Sequence, residues 1–479
     1  MKFGALFRKF SPLSLRGGEK EILGLTEDSR EVAPGWVFVA RRGTRVDGHL
    51  FVEEALRRGA VAIVAEKPLS LPEEVALAQV EDATKALGYL AAAFYGEPQK
   101  DLVLVGITGT NGKTSVSWFL YQLLERKGLS SGLLGTVKYL LGKKTLAARE
   151  TTPSIVKLMS YLAEMRAQGL THAILEVSSH ALDQRRVEGL SFEVAAFTNL
   201  SRDHLDYHGD LSSYFAAKTK LFTRYLKARG RAVINVLDPW GRKLAQGLNR
   251  PVTKVGEEPS GEVVAHRPEG LVFRLRFRGE EKEVSSRLFG DFQLENLLLT
   301  TGCALALGLS FSEITEHLGE LRPPPGRLEL VASFKGALVF VDYAHTPQAL
   351  RRALESLRPY VKRRLLVLFG CGGNRDQGKR PEMGRVAEEL ADSVILTSDN
   401  PRFEDPEAII SDIVRGMKTK PLIEPDRREA LTLALDALRP GDVLLVAGKG
   451  HEDYQEIGGR RLPFSDQEVI REILLTEAA

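Results

Sequence analysis

Cysteine is nearly absent: the 479 residues contain two, Cys303 and Cys371, far apart and without CxxC spacing. That excludes a disulfide scaffold, argues against a structural zinc site and points to a reducing compartment. No run of about 18 apolar residues occurs, so no membrane span is expected. The opening MKFGALFRKFSPLSLRGGEK has basic residues but no sustained apolar stretch and no small-residue cleavage site. A secretory leader is therefore not expected, and the chain reads as cytoplasmic. Blocks of like charge are also missing. The 66 Lys and Arg nearly balance the 63 Asp and Glu, leaving a formal net charge of +3, so no nucleic-acid-binding tail is expected. Repeats and low-complexity tracts are absent. What remains is an ordinary globular composition, 43% hydrophobic and 27% charged. The chain is too long for one core, so several domains are expected.

Three segments emerge, 1–98, 99–324 and 325–479. In the first, short apolar stretches at 37–40 and 60–65 alternate with a helical pattern at 51–58, which predicts a small α/β unit. The second opens on a strand at 102–107 and continues with strands at 173–177, 194–200 and 232–236, separated by helical patterns such as 115–127 and 155–168. Strands alternating with helices predict a mostly parallel sheet. Alternation at 271–277 suggests an antiparallel hairpin, and helices resume at 293–306 and 311–320. The run Arg-Pro-Pro-Pro-Gly at 322–326 reads as a linker. Beyond it, strands at 337–341, 364–369, 393–397 and 442–447 alternate with helices, predicting a Rossmann-like α/β domain.

The central strand runs directly into Gly106-Ile-Thr-Gly109-Thr110-Asn111-Gly112-Lys113-Thr114 and then a helix. A glycine-rich turn between strand and helix lets backbone N–H groups and the helix N-terminus face phosphate oxygens. Lys113 would reach the terminal phosphates and the Thr114 hydroxyl would ligate Mg²⁺. Glu176 ends another strand, in Glu176-Val-Ser178-Ser-His. A further strand leads into Thr198-Asn-Leu-Ser-Arg-Asp203-His204-Leu-Asp-Tyr-His208, and Lys218 follows on a helix. Carboxylate and imidazole groups at the same end of several parallel strands point into a shared ligand crevice.

These pieces, in this order, resemble the Mur ligases and their relative folylpolyglutamate synthetase, which phosphorylate a carboxylate and let an amine attack the acyl phosphate. The resemblance implies a three-domain fold, ATP as co-substrate, and one Mg²⁺ held by Thr114 and Glu176 with a second near His204. It also implies N6-carboxylysine at Lys218, since carbamylation converts a cation into a hard oxygen ligand. Lys113, Glu176, His204 and Lys218 would then carry the chemistry. Asn296 resembles a nucleotide contact at the start of a helix. Arg327, just after the linker, and Asp342, at the end of a strand, match positions that reach ATP when the last domain closes.

The same resemblance divides the substrate contacts. Thr151, Thr152, Ser178, Gln184 and Arg186 match stretches that hold a UDP-muramoyl dipeptide, while Ser29, Thr44 and Arg45 fall where uridine diphosphate binds. Ser398-Asp399-Asn400-Pro401-Arg402 looks like the signature of the branch that adds meso-diaminopimelate. The chemistry agrees, because a planar guanidinium can grip the second carboxylate that lysine and ornithine lack. Arg375 matches a second contact to the amino acid, and Gly448 and Glu452 match the place that receives its distal ammonium. A monomer with small-molecule partners is expected. The alternatives are the same ligase adding L-lysine or L-ornithine, a folylpolyglutamate synthetase-like ligase, and a P-loop regulatory module that makes no amide bond.

Overall fold

The computed structural model describes residues 1–43 and 46–477. The chain is α/β throughout and divides into two compact units, Met1–Ser260 with Asn296–Ile314, and Gly261–Glu295 with Thr315–Ala479.

The first unit holds two sheets. The N-terminal sheet has five strands in the order Ser14–Arg16, Ala76–Gln79, Ala60–Ala65, Trp36–Ala40 and Gly24–Thr26. Only its first pairing is antiparallel. The larger sheet has eight strands. At its centre β1 (Val103–Thr108) lies between β2 (His172–Glu176) and β3 (Phe192–Phe197), all parallel. The sheet is covered on both faces, so β1 is a continuous apolar run rather than an alternating one, with Leu104, Val105 and Ile107 fully buried. Its register pairs Ile107 with Glu176 and Thr108 with Phe197. The three strands therefore end level, and the segments that follow them leave one edge of the sheet.

Two helices carry side chains to that edge. Helix α1 (Lys113–Arg126) buries Val116, Phe119, Leu120, Leu123 and Leu124, a stripe at helical spacing. Replacing the fully buried Phe119 with Ala would cost about 3–5 kcal/mol. Helix α2 (Leu211–Thr223) is capped by Asp210, whose carboxylate accepts from the Ser213 N–H at 2.7 Å. Its buried stripe is Tyr214, Ala217, Lys218, Leu221 and Phe222. A lysine thus occupies a core-facing position.

The second unit is built on a six-stranded sheet whose interior order is β4 (Ala337–Asp342), β7 (Val443–Ala447), β5 (Leu365–Phe369) and β6 (Ser393–Leu396). These four are parallel, while Glu329–Phe334 joins β4 antiparallel at one edge. Helices α3 (Arg427–Asp436) and α4 (Asp466–Glu477) share its core cluster, through Leu431, Leu435, Val469 and Ile470. The hairpin expected at 271–277 is present as Gly270–Phe277 against Glu280–Ser285. The helix expected at 293–306 is present as Phe292–Ala306, which places Asn296 in its second turn instead of at its start. Among the described residues no helix is long and apolar enough to cross a membrane.

Candidate active site

After β1 the backbone turns through Gly109 and Gly112 into α1. Gly112 has φ 84°, and a Cβ there would lie 2.5 Å from the Asn296 Oδ1, so only glycine allows this approach. The loop is held by the segment after β3. The Thr110 N–H donates to the Asn199 carbonyl at 2.8 Å, the Asn111 N–H to the Asn199 side chain at 3.0 Å, and the Thr198 hydroxyl to the Asn111 carbonyl at 2.5 Å. The Lys113 ammonium lies over the turn, donating to the carbonyls of Gly109 (2.9 Å) and Thr110 (3.0 Å). These bonds fix the loop against the segment after β3 and leave the N-terminus of α1 at its end with a lysine above it, an arrangement that suits polyphosphate.

Glu176 ends β2, 1% exposed. One carboxylate oxygen accepts from the Thr114 and Thr136 hydroxyls, both at 2.9 Å, and the other from the Thr136 N–H at 2.9 Å. Lys218 is equally buried, and its amine donates to the Gly109 carbonyl at 2.7 Å with the Tyr214 ring 4.4 Å below. Burial holds this amine well below its ordinary value, and the Lys113 ammonium lowers it further. Tyr214 also meets the Thr110 hydroxyl at 3.2 Å, tying α2 to the loop. His204 sits half-exposed in a left-handed conformation (φ 51°), its ring 4.8 Å from His180 and 6.2 Å from Tyr214. Among the described residues no three His, Cys, Asp or Glu side chains form a metal-binding group. The expected ligand set is of a different kind, because Thr114 and Lys218 belong to it.

The dipeptide contacts expected from the sequence come together beside Glu176. The Thr152 hydroxyl donates to the Glu176 carbonyl (2.8 Å) and accepts from the Ser178 N–H (3.0 Å), while Thr151 meets Thr136 at 3.1 Å. Arg186 donates to the Thr152 carbonyl at 3.0 Å and doubly to the Gln184 side chain at 3.0 and 2.8 Å. Just after the N-terminal strand Gly24–Thr26, Ser29 is buried at the start of a short 3-10 turn and donates to Glu54 at 2.8 Å. Thr44 and Arg45 lie outside the described residues. Sequence reasoning missed Thr136, which supplies half of the contacts to Glu176, and Tyr214, although it stands one turn before Lys218 on the same helix face.

In the second unit the remaining candidates gather at the C-terminal ends of β4 to β7. Asn400 is buried, donates to Glu452 at 2.8 Å and accepts from the Glu456 N–H at 2.9 Å. Gly448 has φ 111°, and a Cβ there would run into the Asp399 carboxylate. Burial raises the Glu452 carboxyl; the Lys449 ammonium 3.4 Å away opposes the shift, and Asp399 adds to it. Arg402 is left-handed (φ 55°), with its guanidinium 2.7 Å from the Gly373 carbonyl. A Cβ on Gly372 would lie 2.9 Å from Arg402 and 3.8 Å from Arg375, so the two guanidinium-bearing chains flank one glycine. Arg375 is exposed. Nearby, Arg327 stacks on Tyr343 at 4.9 Å, and Asp342 accepts from the Leu328 N–H at 2.7 Å. Burial raises the Asp342 carboxyl, against the pull of Arg327.

A glycine-rich strand–loop–helix with a buried carboxylate and a buried lysine beside it has the build of a nucleotide-binding site, and the second unit separately gathers arginines and carboxylates at the ends of its strands. Comparison with known families agrees. The Mur ligase middle domain matches residues 107–304, the Mur ligase glutamate ligase domain 326–450, and the Mur ligase family catalytic domain 21–95. The UDP-N-acetylmuramoyl-L-alanyl-D-glutamate–2,6-diaminopimelate ligase of Aquifex aeolicus is 44% identical over 95% of this chain and 94% of its own. The protein of that name from Geobacter metallireducens is 43% identical over 98% of each chain. A solved structure of such a ligase superposes with a TM-score of 0.72 at 32% identity, covering 100% of this chain and 99% of the other. The fold alone is shared with a folylpolyglutamate synthase of Mycobacterium tuberculosis, TM-score 0.59 at 21% identity over 75% of this chain and 91% of that one. The chain belongs to the Mur ligase family.

Proposed function

We propose that this protein is a cytoplasmic, monomeric ligase that joins meso-2,6-diaminopimelate to UDP-N-acetylmuramoyl-L-alanyl-D-glutamate, converting ATP to ADP and phosphate during peptidoglycan precursor synthesis. The observation that carries this reading is the likeness to ligases of that name over nearly the whole chain. The clustering of Asp399, Asn400, Arg402, Gly448 and Glu452 at one sheet edge supports the choice of amino acid.

The donors around Glu176 fit Mg²⁺. The carboxylate is buried among neutral hydroxyls and a backbone N–H, with no ion pair among the described residues, and the Thr114 hydroxyl touches it. Hard oxygen donors of this sort suit Mg²⁺. Lys218 fits a carbamate, because burial disfavours its charged form, the free amine is nucleophilic toward carbon dioxide, and the product would add an oxygen anion beside the loop. Thr114 and Glu176 would hold one Mg²⁺ and His204 would help hold a second, with carbamylated Lys218 as a further oxygen ligand. When bound, Mg²⁺ neutralises charge on the transferring phosphoryl group.

The chain's own residues position the reactants. The N–H groups of Gly112 to Thr114, at the N-terminus of α1, and the Lys113 ammonium hold the ATP phosphates, while Thr152, Ser178, Gln184 and Arg186 hold the dipeptide. A D-glutamyl carboxylate oxygen attacks the γ-phosphorus, the bond to ADP breaks, and an acyl phosphate forms. The amine of diaminopimelate attacks the acyl carbon, the C–O bond to phosphate breaks, and the nitrogen loses a proton. No protein nucleophile takes part, so catalysis is positioning plus electrostatics. Arg402 and Arg375 would grip the distal carboxylate, and Glu452 with the Gly448 carbonyl the distal ammonium.

A dipeptide substrate carrying heavy oxygen in its glutamyl carboxylate tests the chemistry. One labelled oxygen should appear in the released phosphate. Label confined to the amide product would rule out the acyl phosphate.

A further inference from the structure

Arg427, the first residue of α3, lies far in sequence from every residue in the expected amino-acid site, yet it touches both segments that form it. Its guanidinium and the Asp466 carboxylate are each 0% exposed and meet twice, Nε at 2.7 Å and Nη2 at 2.8 Å. Two of the three remaining N–H groups point the other way. Nη1 donates to the Ser398 carbonyl and Nη2 to the Ala447 carbonyl, both at 3.1 Å. Ser398 immediately precedes Asp399, and Ala447 immediately precedes Gly448. In the sheet the strands leading to these residues, β6 and β7, are not neighbours, because β5 lies between them. One planar side chain therefore spans the gap.

We infer that the Arg427–Asp466 pair is the positioning element that sets the spacing between the Asp399–Arg402 and Gly448–Glu452 segments, and hence the fit of the diamino acid. This inference rests on the proposed role of those segments. The physical case is independent of it. A buried guanidinium needs all its donors satisfied, and its fork fixes the direction of each bond. Two of its five donors are anchored by Asp466, at the start of α4, so the two that reach the carbonyls set the separation between them. A lysine could carry the charge but could not hold three partners in a plane. Around this tether the segments also interlock directly, through Asn400 with Glu452 (2.8 Å) and Lys449 with Asn400 (3.3 Å).

Two variants test it. Arg427→Lys keeps the charge and loses the fork. Arg427→Met with Asp466→Leu removes both charges at similar volume, which spares the fold the cost of an unpaired buried ion. Each is compared with wild type by hydrogen–deuterium exchange of the peptides covering 398–402 and 447–452, and by KM for diaminopimelate, ATP and the UDP-dipeptide. The expected result is faster exchange in both peptides and a KM for diaminopimelate raised about tenfold or more, with the other two KM values unchanged. Unchanged exchange, or an equal rise in all three KM values, would overturn the inference by leaving the pair a general stabiliser of the unit. If wild type uses no diaminopimelate, the substrate reading fails by itself, while exchange still reports whether Arg427 ties the two segments.

Discussion

Glu176 is the residue whose replacement separates chemistry from folding most cleanly. Its carboxylate accepts four hydrogen bonds, from Thr114, from the Thr136 hydroxyl and N–H, and at 3.5 Å from Ser117. In Glu176→Gln the amide oxygen can keep the Thr136 N–H, and the amide nitrogen can face the Thr114 and Thr136 hydroxyls, which rotate to accept. Stability should therefore change by no more than about 1 kcal/mol. Glu176→Ala strands the buried Thr136 N–H and opens a cavity, so it should cost about 3 kcal/mol. Turnover should follow charge instead of fit. Losing a fixed anion next to the phosphate loop should lower kcat about 10²- to 10³-fold in both variants, the scale found when one electrostatic contact is removed. Thermal denaturation read beside phosphate release with all three substrates makes the comparison. A Gln variant that folds like wild type and keeps near-wild-type turnover would refute the role given to Glu176.

Other expectations follow from single sites. Lys218→Arg cannot be carbamylated and should abolish turnover, and peptide mass spectrometry of wild type under carbon dioxide should find Lys218 heavier by one CO₂. In Gly448→Ala the new Cβ meets Asp399 at φ 111°, so strain of about 1–3 kcal/mol should raise KM for diaminopimelate and leave that for ATP alone. Burial alone would raise the Asp442 carboxyl, but Arg364, the Arg439 N–H and Arg363 outweigh it and hold it below 3.8. A carboxylate lowered in the folded state adds stability above the unfolded pKa and loses it as pH falls through the folded one. Asp442→Asn should thus be less stable by about 2 kcal/mol at neutral pH. Denaturant midpoints of the two proteins should converge as the pH drops below 3.8.

Much of this was written in local sequence. The strand, glycines, Lys-Thr and helix around 103–126 are consecutive, so the phosphate loop could be read directly, and Glu176 and Asp399 each stand at or just past a strand end. Lys218 could have been placed in the core from its own stripe, since Tyr214, Ala217, Leu221 and Phe222 set the helical period around it. What escaped was non-local or weakly patterned. The hairpin Lys138–Leu141 with Lys144–Ala147 has only four residues in each strand, too few for a clear period, yet it extends the central sheet close behind Thr136, the donor to Glu176. Arg427 and Asp466 are 39 residues apart, and nothing in either's neighbourhood marks a buried pair. Asn296 reads as opening its helix, yet it lies one turn inside Phe292–Ala306.

The most direct test offers the enzyme ATP, Mg²⁺ and UDP-N-acetylmuramoyl-L-alanyl-D-glutamate with meso-diaminopimelate, L-lysine or L-ornithine in separate reactions, and measures phosphate release. Turnover with diaminopimelate alone, lost in Arg402→Ala, is the predicted result. Turnover with lysine or ornithine in place of diaminopimelate would contradict the account of Arg402, and turnover with ATP alone, indifferent to the dipeptide, would contradict the ligase itself.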